Sequence, residues 1–198
     1  MTTLPDNRYL FHWTSIERLQ RLAKSGVMKP YWTHYLFDEK RDVKGTSTCQ
    51  EPMLWHPDEE LHREPCLIID RSTIEAPLHD LESGETYHLT KAIRNARKAG
   101  KPIEPILESV VQARKRTHST TDEVFIEGPI SKDSVVAIGF QDDDLDHTGE
   151  RFAAIKAIAE AMNLPLLDMT GWEIGAPGFR ETDEIVDELI GRTSNYKP

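Results

Sequence analysis

The order of the strand and helix patterns is the feature that most limits the folds open to this chain. An apolar, aromatic strand pattern at residues 8–13 leads directly into an amphipathic helix pattern that Gly26 closes. A long irregular stretch follows, and the later strand and helix patterns do not alternate regularly. A doubly wound parallel sheet needs that alternation, so the sequence predicts an α+β fold instead.

The remaining patterns extend this prediction along the chain. Residues 28–64 hold prolines and few periodic apolar positions, so we expect them to be irregular. Further strands are predicted at residues 66–70, 123–127, 134–140 and 164–168. Further helices are predicted at residues 89–99, 103–116, 149–162 and 182–190.

Length and cysteine content predict the kind of protein. A chain of 198 residues has the length of one domain, and we expect a single domain with a core at 8–140 that residues 141–198 complete. No apolar stretch approaches the length of a membrane span, and the N-terminus has no secretory pattern. Two cysteines, Cys49 and Cys66, make no disulfide framework. We therefore expect a soluble, cytoplasmic protein.

Charge is distributed unevenly along the chain. The net charge of -10 opposes general binding to nucleic acid, because that affinity comes largely from neutralising phosphates. Residues 91–116 are basic, and they form either a solvated helix face or a docking site for an acidic macromolecule. Their cations are Lys91, Arg94, Arg97, Lys98, Lys101, Arg114, Lys115 and Arg116.

Three short segments carry the functional hypothesis. The first is FHWT at residues 11–14, a polar pair at the end of a predicted strand. The second is GTST at residues 45–48, about twenty residues before the strand CLIID. The third is TTDEVFIEGPI at residues 120–130. Each is short, and their order and spacing carry most of the information.

This layout resembles the ADP-ribosyltransferase superfamily, in particular small bacterial and phage-type members distantly similar to DarT toxins. In that group a His-x-Thr pair ends the first strand, a Gly-x-Ser segment follows in a second strand, and an acidic strand ends in Gly-Pro-Ile. The resemblance covers residues 8–140. It implies a split mixed or antiparallel sheet with flanking helices, and a mono-ADP-ribosyltransferase that takes NAD as substrate and modifies a macromolecule, either protein or nucleic acid.

The resemblance also implies which residues bind NAD. His12 would orient the ribose next to the nicotinamide, and Thr14 would hold the same end of the molecule. Ser47 would lie on the strand that floors the nicotinamide pocket, and Thr48 and Gln50 would line the same site. No metal is implied.

The catalytic carboxylate implied by the resemblance is Glu123, with Glu127 as a second choice. Breaking the bond between nicotinamide and ribose develops positive charge on the ribose. A fixed carboxylate stabilises that charge and helps to deprotonate the incoming nucleophile.

One departure from the family pattern keeps a second function open. The related proteins usually have an arginine near the position of Gln50, where it binds the NAD phosphates. Arg41 or Lys44 would have to replace it from the preceding loop. The alternative is a non-catalytic binding or inhibitor protein that uses its acidic surface to occupy a partner.

Other interpretations of the same residues remain open. Thr14 and Glu17 have the spacing of a helix capping box. Four residues have irregular spacing for a zinc site, namely Cys49, His56, His62 and Cys66. The acidic residues at 142–146 alternate as in a calcium loop, although the glycine and glutamate of that motif are misplaced.

Overall fold

The computed structural model describes residues 8–36, 39, 41–50, 64–81, 85–108, 123–140, 149–169, 184, 186–188 and 190–191. They form an α+β fold with a mixed, mostly antiparallel sheet and flanking helices, which confirms the predicted class. The chain divides into two compact units. Unit 1 comprises Met1–Met28, Thr48–Glu75 and Ile130–Pro198, and unit 2 comprises Lys29–Ser47 and Ala76–Pro129.

The elements are numbered along the chain. The strands are β1 (Tyr9–Trp13), β2 (Val27–Met28), β3 (Trp32–Leu36), β4 (Arg41–Cys49), β5 (Cys66–Asp70), β6 (Leu78–Leu81), β7 (Glu123–Glu127), β8 (Ile130–Ser131), β9 (Val135–Phe140) and β10 (Leu166–Asp168). The helices are α1 (Ile16–Ser25), α2 (Glu85–Lys98) and α3 (Glu150–Met162). Among the described residues, no helix is long and apolar enough to cross a membrane.

In unit 1 the central strand is β5. It lies between β1 and β9, antiparallel to both, and β10 continues the order with a parallel pairing to β9. All five side chains of β5 are buried, as its continuous apolar run predicts for a strand covered on both faces. The end of β4 pairs with the other edge of β1 through Phe11 and Cys49.

Helix α1 follows β1 after only two residues. It begins at Ile16 behind Ser15, so the predicted capping box at Thr14 and Glu17 is wrong. Gly26 ends the helix with φ 72°, and its N–H donates to the carbonyl of Leu22, as its sequence position predicts. The left-handed conformation explains why glycine stands here.

In unit 2 the strand β4 lies between β3 and β7, and β6 pairs with β7 on the far side. The prediction that residues 28–64 are irregular is therefore wrong for 32–36 and 41–49. The buried positions of this hairpin include His34, Gly45 and Thr46. A search for periodic aliphatic residues misses such strands, because glycine and polar side chains share the buried positions with Tyr35, Leu36 and Val43.

The other predicted elements agree with the structure apart from their ends. Helix α2 begins four residues before its predicted start, and β6 was not predicted. Of the helix predicted at 103–116, residues 104–108 are helical and the rest lies outside the described residues. Near the C-terminus, residues 184, 186–188 and 190–191 are helical.

Two apolar contacts fix the strands of unit 2. Tyr35 on β3 packs against Ile93 of α2. On the opposite face of β3, His34 meets Phe125 edge-on with ring centroids 4.4 Å apart. Burial lowers the pKa of His34 to about 4, so the imidazole is neutral at pH 7 and acts as part of the apolar core.

Gly45 of β4 lies against the backbone of β7. A β-carbon at this position would overlap the carbonyl oxygen of Ile126 and would lie 2.7 Å from the ring of Phe125. The backbone oxygen cannot rotate away as a side chain can. Any larger residue therefore has to push the two strands apart.

Gly45→Ala is accordingly expected to reduce the free energy of unfolding by about 1–3 kcal/mol or more, the cost of overpacking. A thermal unfolding scan followed by circular dichroism measures this. Gly191→Ala is the control, because a β-carbon there meets nothing within 4 Å in a helical segment. Equal melting temperatures for the two variants would contradict the described β4–β7 packing.

Candidate functional site

The polar pair His12 and Thr14, at the end of β1, lies on one face of the sheet in unit 1. Phe11 belongs to the apolar cluster on the opposite face, and Trp13 packs against that cluster. Side chains alternate along a strand, so His12 points away from that cluster. The N–H of Thr14 donates to the carbonyl of Pro65 at 2.9 Å, which extends the pairing with β5 past the end of β1. Thr14 therefore follows His12 on the same face.

The end of β4 adds two polar residues to this face. Phe11 pairs with Cys49, so their neighbours His12 and Thr48 share the opposite face of the strand pair. Gln50 follows directly after β4. His12, Thr14, Thr48 and Gln50 are each at most 6% exposed. We call these four residues the polar face of unit 1.

Arg71 reaches the polar face from the end of β5. Its Nη1 donates to Oε1 of Gln50 at 3.3 Å. Arg71 is the first residue of a short 3-10 turn that Asp70 caps by accepting from the N–H of Ser72 at 2.9 Å. No sequence motif indicated this residue. Its signal in the sequence was the pair Asp70-Arg71, at the end of the strand CLIID. This pair becomes informative only when β1 is known to lie between β5 and β4.

Thr14 has an unusual environment for a hydroxyl group. Its Oγ1 is buried and has no hydrogen-bond partner among the described residues, and the same holds for Nε1 of Trp13. Leaving a buried donor or acceptor unsatisfied costs about 1–3 kcal/mol. Since Ser15 and not Thr14 stands at the helix start, capping does not explain the Thr14 hydroxyl. A ligand that hydrogen-bonds to it would remove this cost.

The structure brings four of the predicted NAD-binding residues together in unit 1, namely His12, Thr14, Thr48 and Gln50. Ser47 precedes Thr48 on β4, belongs to unit 2 and, by strand alternation, points to the other side of the strand.

The predicted catalytic residue lies in unit 2. Glu123 opens β7, where it pairs with Leu81 of β6. Its side chain lies outside the part of the chain that the structure describes.

Glu127, the second choice for the carboxylate, lies in an ion network of unit 2. Its two oxygens accept from Nη1 and Nη2 of Arg41, each at 2.8 Å, and Oε2 lies 2.9 Å from Nε2 of His79. Hydrogen bonds from Arg41 and then from His79 lower the pKa of Glu127 to about 2. Arg41 also donates to Glu39 at 2.5 Å. The charge of Arg41 is thus balanced by two carboxylates within unit 2.

The metal interpretations find no support in the described residues. No group of three or more His, Cys, Asp or Glu there could hold a metal ion. His56, His62 and the loop at 142–146 lie outside the described residues. Burial raises the pKa of the Cys66 thiol well above its usual value, so this thiol stays protonated and is a poor metal ligand.

The basic segment forms a ridge on α2. Lys91, Arg94 and Lys98 are exposed and fall at the spacing of one helical face, opposite the buried Ile93. We call these three residues the cationic ridge. Arg97 turns instead towards β3 and β4, where it pairs with Asp42 and lies over the ring of Tyr35. The three cations at 114–116 lie outside the described residues.

Comparisons of this chain with protein-family models, with curated proteins and with solved structures find no match. A functional proposal therefore depends on the polar face, on the cationic ridge and on the resemblance in sequence.

The Glu127 network gives a prediction for acid stability. A depressed pKa means that the folded protein holds the ionised carboxylate more strongly than the unfolded chain does. The resulting stabilisation is present above the ordinary value of 4.5 and is lost as the pH falls towards about 2. Glu127→Gln should therefore lower the melting temperature at pH 7. It should also reduce the further fall of the melting temperature between pH 4.5 and pH 2.

Thermal scans from pH 7 to pH 2 measure this, with Glu104→Gln as the control because Glu104 is exposed in the same unit. Parallel pH profiles for wild type and Glu127→Gln would show that the network contributes nothing to stability.

Proposed function

We propose that this chain is an NAD-dependent mono-ADP-ribosyltransferase. The observation that carries the proposal is the polar face, where polar side chains hold buried positions on two paired strands. Aliphatic residues at such positions would fill a core without the cost of burying polar groups. Buried positions that are occupied by polar instead of apolar side chains are expected at functional or strained sites. The resemblance assigns His12 and Thr14 of this face to NAD, whereas Gln50 departs from the arginine of the family pattern.

The chemistry of the reaction gives each group a role. The bond between the nicotinamide nitrogen and the ribose carbon breaks, nicotinamide leaves with the electron pair, and positive charge develops on the ribose. His12 and Thr14 would hold this end of NAD, since a ring nitrogen and a hydroxyl both hydrogen-bond to ribose hydroxyls. Glu123 would stabilise the developing charge and accept the proton of the attacking acceptor group.

The distribution of charge supports a macromolecular acceptor. Of 34 acidic and 24 basic residues in the chain, unit 2 holds 11 and 12, which leaves unit 1 with 23 and 12. Unit 2 is thus nearly neutral, and the cationic ridge is an exposed basic surface among its described residues. We propose that the ridge binds a negatively charged acceptor.

The second candidate is a non-catalytic binding or inhibitor protein. The excess of acidic residues in unit 1 favours it, because an acidic surface can occupy the basic site of a partner. The two candidates differ in one measurable respect, since only the transferase binds NAD.

NAD is expected to raise the melting temperature of the wild type, because a ligand that binds only the folded state stabilises it by about 2.7 kcal/mol at 100 times its dissociation constant. Thr14→Val keeps the shape of the side chain and removes the hydroxyl, so the shift should shrink while the free protein stays at least as stable. Glu123→Gln should retain the shift and lose the release of nicotinamide.

The control for the valine variant is Thr33→Val on β3, which should respond to NAD as the wild type does. A wild type that shows no shift at millimolar NAD would exclude the transferase and leave the binding protein in its place.

The cationic ridge predicts salt-dependent binding of a polyanion. Two fluorescent probes, single-stranded DNA and polyglutamate, distinguish nucleic acid from acidic protein. Replacing Lys91, Arg94 and Lys98 by glutamine should lower the affinity for whichever probe the wild type binds. For single-stranded DNA the slope of log K against log salt should shrink by roughly two, since each phosphate contact contributes about 0.7.

The matched control replaces three exposed cations of unit 1, Arg21, Lys24 and Lys156, with the same change in net charge. Equal losses in both triple variants would mean that net charge and not the ridge determines binding.

A further inference from the structure

We infer that Glu64 and Thr14 together bind the carboxamide group of the nicotinamide, and that Glu64 thereby selects NAD over its acid analogue. The inference rests on the proposed function, and it adds a specificity-determining residue to the same site. Glu64 borders the polar face, because it precedes Pro65, whose carbonyl accepts from the N–H of Thr14 at 2.9 Å. All three residues belong to unit 1.

The carboxylate of Glu64 has one oxygen that is held and one that is not. Oε1 lies 3.0 Å from Nη2 of Arg151. Oε2 is buried and has no hydrogen-bond partner among the described residues. Burying a carboxylate oxygen without a donor is unfavourable. Glu64 therefore keeps an acceptor for a donor group that the described part of the chain does not supply.

The contact with Arg151 turns the side chain of Glu64 towards the start of α1. Arg151 stands in the first turn of α3. Hydrogen bonds from its own backbone N–H and from Ser15 lower the pKa of Glu17, and the charge of Arg151 lowers it further. Glu17 lies in the first turn of α1, three residues after Thr14. Glu64 and Thr14 are thus held at the same end of the sheet, where β1 ends and α1 begins.

The two polar atoms do not satisfy each other. Oγ1 of Thr14 and Oε2 of Glu64 are both buried and both lack a partner among the described residues, so no hydrogen bond joins them. A carboxylate oxygen only accepts, whereas a hydroxyl group both donates and accepts. A ligand group that fits both presents an N–H and a C=O on one carbon, and a primary carboxamide has this arrangement.

The carboxamide agrees with the roles proposed for this end of NAD. The amide nitrogen would donate to Oε2 of Glu64, and the amide oxygen would accept from the hydroxyl of Thr14. That hydroxyl still has lone pairs, so Thr14 can accept from a ribose hydroxyl at the same time. His12 keeps its role at the ribose.

The same arrangement disfavours a carboxylic acid in place of the amide. Nicotinic acid adenine dinucleotide differs from NAD only in carrying a carboxylate at this position. It has no N–H for Glu64, and its negative charge would face the carboxylate of Glu64. A site built to bond an N–H rejects an analogue that lacks it, because the buried acceptor then stays unsatisfied.

Isothermal titration calorimetry with the two dinucleotides tests the inference. The wild type should bind NAD about 10- to 100-fold more tightly than the acid analogue, the range for one hydrogen bond to a charged group. Glu64→Gln should bring this ratio towards one, because glutamine keeps an oxygen for Arg151 and offers an N–H to the acid. Glu160→Gln, at an exposed position of α3, makes the same change in charge and should keep the wild-type ratio.

Thr14→Val gives a second signature. Both dinucleotides carry an oxygen that the Thr14 hydroxyl can bond, so this variant should weaken both and leave their ratio nearly unchanged. A ribose contact of Glu64 would behave differently from a carboxamide contact, since both dinucleotides have the same riboses and Glu64→Gln would then not alter the ratio.

Free nicotinamide and nicotinic acid cover the case in which Glu64→Gln does not fold, because they need only the wild type. Nicotinamide should raise the melting temperature and compete with NAD, and nicotinic acid at the same concentration should do neither. Equal effects of the two compounds would overturn the inference.

The outcomes separate this inference from the proposed function. If the wild type binds both dinucleotides equally, or if Glu64→Gln keeps the wild-type ratio, the role of Glu64 is refuted and the transferase stands. If Glu64→Gln weakens both dinucleotides by the same factor, the contact with Arg151 is structural and the inference also fails. A wild type that binds no NAD refutes the proposed function itself.

Discussion

The pairing of β1 with β5 on one edge and with the end of β4 on the other determines the arrangement of unit 1. Because side chains alternate along each strand, this one register separates two environments. Phe11 and its neighbours fill an apolar cluster on one face. His12 and Thr48 lie on the other face, and the side chain of Arg71 reaches Gln50 across β1. A shift of one residue in this register would exchange the two faces.

The charged groups are organised into local sets. Arg8 joins Asp70 and Asp187, Arg41 joins Glu39 and Glu127, and Arg97 joins Asp42. Exposed pairs of this kind contribute little stability one by one. Their more general effect is to fix where positive charge remains available for a ligand. On α2 this leaves the cationic ridge.

The sequence predicted the elements whose burial falls on aliphatic residues, such as β5 and β9, and the helix that Gly26 ends. It missed the β3–β4 hairpin, because His34, Gly45 and Thr46 occupy buried positions without an apolar period. For the candidate site, the sequence predicted the polar pair His12 and Thr14 at the end of a strand, and β1 ends at Trp13. Arg71 could not be predicted in the same way, since its proximity to Gln50 depends on the lateral order of three strands, which spacing along the chain does not encode.

The two cysteines differ in a way that allows selective labelling beside the candidate site. Cys66 is fully buried with a raised thiol pKa, whereas Cys49 is partly exposed at the end of β4. A maleimide dye at neutral pH should therefore react with Cys49 in preference to Cys66. Cys49 stands between Thr48 and Gln50 in the chain, with its side chain on the opposite face from Thr48. The native protein thus carries a labelling position on the strand that borders the polar face, and fluorescence from that position would report on ligand binding without an engineered cysteine.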